Sequence, residues 1–181
     1  MANALRPIAE PYPEGVAAAL ARYPQQDGYI LTLFRTFANS LRFLQKGVPN
    51  LLDRDSPLPL RIREVVILRI TANNRCEYEW GVHVTVFSKA AELTPAQVAD
   101  TCSATVDPAL WSGAEARLIG ALDELCASGR LADATLTHFE ADWSLEQQLE
   151  ILAVCGAYHT ISFVANVAKL PGEAFGARFP G

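Results

Sequence analysis

The sequence predicts an all-α domain. Three observations carry that reading. Apolar residues recur at helical spacing through most of the chain. Helix starts and stops punctuate it: Thr94-Pro95, the capping boxes Ser112-x-x-Glu115 and Ser144-x-x-Gln147, and Gly129. Period-2 alternation bounded by turn residues is hard to find.

Taken in order, Pro7 to Pro13 reads as an extended lead-in and Glu14 to Arg22 as a short amphipathic helix ended near Tyr23-Pro24. Asp27 can cap a longer helix through Ile30, Leu31, Leu33, Phe34, Phe37, Leu41 and Leu44. Gly47 is placed as its C′ residue, with Pro49 beyond it. Asp53 to Pro57 is a loop. A helix is expected from Leu60 to Ala72, broken at Asn73-Asn74, and a second from about Arg75 to Ala91. Thr94-Pro95 opens another, and Asp107-Pro108 is a turn. Ser112 opens a helix through Leu118, Leu122 and Leu125. Asp133 is placed as the cap of a short helix to Glu140. Ser144 opens a long last helix toward Leu170, stopped by Pro171-Gly172. The tail, 173–181, is expected to be irregular or to drape over a neighbour.

The 181 residues suit one domain, with 1–26 as an N-terminal extension and 30–170 as the core. Half the residues are hydrophobic, which is enough for a large core and for a subunit interface besides. The net charge is −5 and no Lys/Arg run forms a basic patch, so nucleic acid is not an expected partner. The longest apolar stretch, Ile151 to Leu170, is interrupted by His159, Asn166 and Lys169, and no membrane span is expected. The N-terminal residues lack an apolar signal-peptide region, so a cytosolic location is expected. The four cysteines, Cys76, Cys102, Cys126 and Cys155, form no C-x-x-C pair and are expected as thiols. Cys102, Cys126 and Cys155 read as small hydrophobes; Cys76 differs in having ionisable neighbours.

Those neighbours define the candidate site. Cys76, Glu79 and His83 stand at i, i+3 and i+7, on one face of a helix. Thiol, carboxylate and imidazole are the side chains that handle protons and act as nucleophiles. Glu64, twelve residues earlier among Val and Ile, is costly to bury without a partner and can join them if the two helices pack antiparallel. Arg35 and Asn39, about one turn apart, either bind a substrate carboxylate or face solvent. Tyr158-His159 is a second polar pair in an apolar helix, read chiefly as packing.

These residues resemble the carboxymuconolactone decarboxylase family, which includes the alkylhydroperoxidase D-like proteins. The resemblance is strongest over 60–92, with the flanking Arg63-Glu64-x-x-Ile67-Leu68. In the family's peroxidase branch a glutamate precedes C-x-x-C-x-x-x-H. Glu64, Cys76 and His83 match its glutamate, first cysteine and histidine, and Glu79 stands in place of the second cysteine. Cys76 therefore lacks the partner for the intramolecular disulfide of the dithiol peroxidase cycle. The decarboxylase branch carries E-L-x-x-H, which Glu79-Trp80-Gly81-Val82-His83 resembles, and the chain looks like a Y-E-W-x-x-H subgroup.

The expectation is a cofactor-independent lyase or isomerase acting on a small organic acid or lactone. Glu79 and His83 would be its acid/base pair, with Glu64 orienting them and Cys76 sharing the network. A one-cysteine hydroperoxide reductase is the alternative enzyme, with Cys76 as nucleophile. A non-catalytic helical assembly protein is the second alternative. Metal binding by Glu64, Glu79 and His83 is a minor one, since no H-E-x-x-H motif is present. The resemblance and the apolar surface imply a homo-oligomer: a dimer, trimer or hexamer.

Overall fold

A computed structural model describes residues 5–181. They are all-α, with one two-residue-per-strand hairpin. The helices are α1 (Val16–Leu20), α2 (Thr32–Phe37), α3 (Leu41–Lys46), α4 (Leu60–Asn73), α5 (Glu77–Phe87), α6 (Pro95–Asp100), α7 (Gly113–Ser128), α8 (Asp133–Asp142) and α9 (Leu145–Val167).

Helix α4 is the axis of the fold. Residues 63 to 71 are all buried, so no side of the helix faces solvent there. Val66, Ile67 and Ile70 belong to the main core with Leu118, Leu122, Ile151 and Val154. Val65 and Leu68 face a smaller core around Trp80, Trp111 and Ile119. A helix buried on every side must satisfy its polar residues internally. Arg69 does so, with Nε and Nη2 donating to the Asp123 carboxylate at 2.6 and 2.7 Å and Nη1 to the Thr101 and Ser103 carbonyls.

The three later helix starts behave as the sequence predicts. Ser112 and Ser144 each accept from the backbone N–H three residues on, and Glu115 and Gln147 return the bond. Thr94 does the same with Gln97, a third capping box beyond the expected cap and proline. Gly129 closes α7 in the left-handed conformation that favours glycine.

The first half departs from expectation. No helix spans Asp27 to Leu44. Gln25–Gln26 pairs antiparallel with Tyr29–Ile30 across Asp27-Gly28, and both turn residues have positive φ, 51° and 79°. Asp-Gly with two positive φ values is the type I′ hairpin turn. Asp27 thus turns a hairpin instead of capping a helix, and the apolar residues after it divide between α2 and α3. Gly47 follows α3 but stays right-handed at φ −74°. A Cβ there would overlap the Phe43 ring, so the glycine serves packing. Asp133 also fails as a cap: Ala132 holds that position without a side-chain bond.

Helix α9 has the length and hydropathy of a membrane span. Its inner face, Ile151, Val154, Tyr158, Ile161 and Ala165, is nevertheless part of the core. The tail runs back along α5 of its own chain. Ala177 N donates to Gly81 O, Thr85 Oγ1 to Phe175 O, and Arg178 and the Phe179 N–H to Glu77. Glu173 receives bonds from Tyr29, Tyr78 and the Thr32 N–H.

Gly81 is what lets the tail lie so close, since a Cβ would collide with the Ala177 carbonyl. Gly81→Ala is therefore expected to destabilise the protein by about 1–3 kcal/mol. It should also expose 174–181 to limited proteolysis. Unfolding by urea, with mass spectrometry of the clipped tail, checks both.

Candidate active site

The turn between α4 and α5 builds the site. Asn74 ends α4, Arg75 takes φ +51°, and the Cys76 N–H returns to the Thr71 carbonyl. That reversal lays α5 back along α4. Cys76 is the N-cap of α5 and not, as expected, a residue inside it. Its thiol still lies near Glu79, whose charge and backbone N–H both act on it.

The two helices bring Glu64 to His83. His83 Nδ1 donates to Glu64 Oε2 at 2.7 Å, with the side chains 3% and 1% exposed. On the other ring nitrogen, Glu79 Oε1 lies 3.6 Å from Nε2. Tyr158 of α9 sits 2.8 Å from the same Nε2, its ring edge-on to the imidazole. Phe87 covers the ring from one turn further along α5. Glu64, Cys76, Glu79 and His83 are all buried, and Tyr158 of α9 joins Glu64, Glu79 and His83 around one imidazole.

Burial would depress the His83 pKa. The charges of Glu64 and Glu79 and their bonds to the ring outweigh it and raise it to about 9. The imidazole is thus a cation at neutral pH, held between two carboxylates. Tyr158 is pushed well above the ordinary phenol range by burial and by the charges of Glu79 and Glu64. When His83 is doubly protonated, Nε2–H can donate to the tyrosine oxygen; when it is neutral, the tyrosine O–H donates back. A proton can pass either way along this contact.

Cys76 behaves differently from a reactive thiol. It is fully buried, and desolvation raises its pKa to about 11; a hydrogen bond from the Glu79 backbone opposes this, and the Glu79 charge adds to the rise. Of the other cysteines, Cys155 is buried, while Cys102 and Cys126 are half-buried, and Cys126 Sγ contacts His159 Nε2 at 3.5 Å.

Tyr158 was read chiefly as packing, and its place on Nε2 corrects that. Only its OH, on a helix otherwise apolar at that level, hints at it in the sequence. Arg35 and Asn39 are engaged elsewhere. Arg35 donates to Ile30 O and Thr32 Oγ1, and Asn39 to Arg6 O and Thr36 O. Among the described residues no three His, Cys, Asp or Glu side chains converge as metal ligands. Glu64 and Glu79 approach opposite nitrogens of one ring. A groove of about 330 Å³ lies on the far side of α5 among Trp80, Val84, Leu93, Val98 and Arg178.

The model of the carboxymuconolactone decarboxylase family matches residues 42–124. The match covers a little under half of the chain and holds Glu64, Cys76, Glu79 and His83, while Tyr158 lies outside it. Carboxymuconolactone decarboxylase-family proteins include both decarboxylases and peroxidase-like members. No curated protein matches the chain.

The raised pKa of His83 links stability to pH. Protonated His83 stabilises the fold fully below the free-histidine pKa of about 6.5, and this contribution is lost as pH rises through about 9. Urea unfolding from pH 6 to pH 10 should show a loss on the order of 3 kcal/mol from this group. Glu64→Gln should flatten that slope, and a slope unchanged in the variant would refute the ion pair.

Proposed function

We propose that the chain is a cofactor-independent lyase or isomerase acting on a small organic acid or lactone. The observation that carries this reading is the double use of His83, held by Glu64 on Nδ1 and facing Tyr158 and Glu79 on Nε2. Glu64 selects the Nδ1–H tautomer and keeps the ring charged. Glu79 Oε2 has no hydrogen-bond partner and is free to accept a substrate proton. For decarboxylation, the electrons of the breaking C–C bond pass into an enolate as carbon dioxide leaves. Tyr158 O–H, resupplied from His83 Nε2–H, then protonates the carbanion, and solvent restores the proton to His83. For isomerisation, Glu79 removes the proton and the Tyr158–His83 pair returns one. The enclosed site strengthens every charge in it, and substrate entry requires movement of the surrounding side chains.

The peroxidase alternative needs a thiolate at neutral pH. Burial and the neighbouring carboxylate act against it at Cys76.

Glu79→Gln and His83→Ala should lower turnover of β-keto acids and lactone acids by roughly 10²–10⁴-fold. Tyr158→Phe should lower it by about tenfold or more, and Cys76→Ser by less than about threefold. Carbon dioxide release and lactone ultraviolet absorbance would follow the reaction. Peroxide consumption abolished by Cys76→Ser, with no turnover of either acid class, would reverse the assignment.

A homo-oligomer is also proposed. Leu145, Leu149, Leu152, Phe163 and Val167 line the outer side of α9, with Leu145 79% and Leu149 70% exposed. Their spacing follows one long helical stripe, suited to the same stripe on a second copy. The Leu149→Glu, Phe163→Glu double variant should shift the mass by light scattering to that of a single chain while keeping its helical circular dichroism.

A further inference from the structure

Three arginines in this chain are placed to present the same edge, the parallel Nε–H and Nη2–H bonds. In two of them a carboxylate occupies it. Arg69 holds Asp123 at 2.6 and 2.7 Å, and Arg117 holds Asp142 at 2.7 and 2.8 Å. Arg63 is the third, only 8% exposed on α4. Its Nη1 donates to the Asp53 carbonyl at 3.3 Å. Its Nε–H is buried without an acceptor, while Nη2, which bonds to none of the described residues, reaches solvent. The neighbouring Glu64 Oε1 is 3.9 Å away, too far for a hydrogen bond, and is itself without a partner. A buried charged donor left unsatisfied is costly, and the fork geometry matches a planar carboxylate.

We propose that the Nε/Nη2 edge of Arg63 binds a carboxylate of the substrate and fixes it beside the Glu64–His83–Tyr158 network. The assignment rests on the acid/base reading of the same site and adds the group that orients the substrate there. Arg63 directly precedes Glu64, and its charge is felt by Tyr158 across the site. Glu79 Oε2 and Ser162 Oγ are likewise buried without a hydrogen-bond partner. The ligand is a carboxylate and not a phosphate. A monoanion adds one negative charge beside Glu64 and Glu79, whereas a phosphate dianion adds two in the same enclosure. Arg35 cannot take this role, because its Nε and Nη2 are spent on Ile30 and Thr32.

The test is calorimetric titration of the full chain with acetate and with succinate at pH 7, using acetamide and dimethyl succinate as uncharged controls. Wild type should bind at least one of the two carboxylates and neither control. Arg63→Lys keeps the charge but loses the planar fork and should weaken binding by about tenfold or more. Arg63→Gln should abolish it; if that variant does not fold, the lysine variant decides. Glu79→Gln should retain carboxylate binding. Failure of wild type to bind either acid, equal binding of the controls, or binding by Arg63→Lys within about twofold of wild type would overturn the proposal. Arg63-dependent binding in a protein whose Glu79→Gln variant keeps full turnover would leave the carboxylate site standing and remove the acid/base reading.

Discussion

The ion pair between Glu64 and His83 is the constraint around which the rest of the structure is arranged. Both groups are almost wholly out of water, and either one alone would be an uncompensated polar or charged group inside an apolar core. Together, at 2.7 Å, they tolerate burial. The bond forms only if α4 and α5 lie in one register, and the turn at Asn74-Arg75-Cys76 sets that register through a positive φ at Arg75 and the Cys76–Thr71 bond. Tyr158 then brings α9 to the opposite nitrogen of the same ring. Two consecutive helices and a third far along the chain meet on one imidazole.

The arrangement also shows what glutamate at position 79 does to the electrostatics of the cluster. A cysteine at position 79 would set two thiols at i and i+3. The glutamate there adds a second negative charge beside His83 and beside the Cys76 thiol. The same charge that helps hold the histidine protonated discourages ionisation of the cysteine. Proton transfer gains and thiolate chemistry loses from one field. Burial works in the same direction at Cys76.

The outer side of α5 has a different task. Gly81 and Thr85 receive the chain's own tail, and Glu173 anchors that tail to the hairpin and to Tyr78. Tyr78 therefore links the far end of the chain to the helix that carries Glu79 and His83. The position of α5 is held from both faces: by the ion pair on its inner side and by the tail on its outer side.

Much of this was legible in the sequence. The all-α class, the capping boxes at Ser112 and Ser144, the stop at Gly129 and the cluster of Glu64, Cys76, Glu79 and His83 depend on interactions within a few residues or on one helical repeat. Such spacing is written along the chain. The Asp27-Gly28 hairpin was written there too, but Asp is equally a helix cap, and only the pairing of Gln25–Gln26 with Tyr29–Ile30 separates the two uses. Tertiary structure alone decided that Tyr158 faces His83 from 75 residues away, that the tail lies on its own α5, and that Arg63 keeps an unfilled fork. Those facts depend on which surfaces meet when α9 and the tail close over α4 and α5. Such a meeting is set by the packing of the whole core, which no local spacing records.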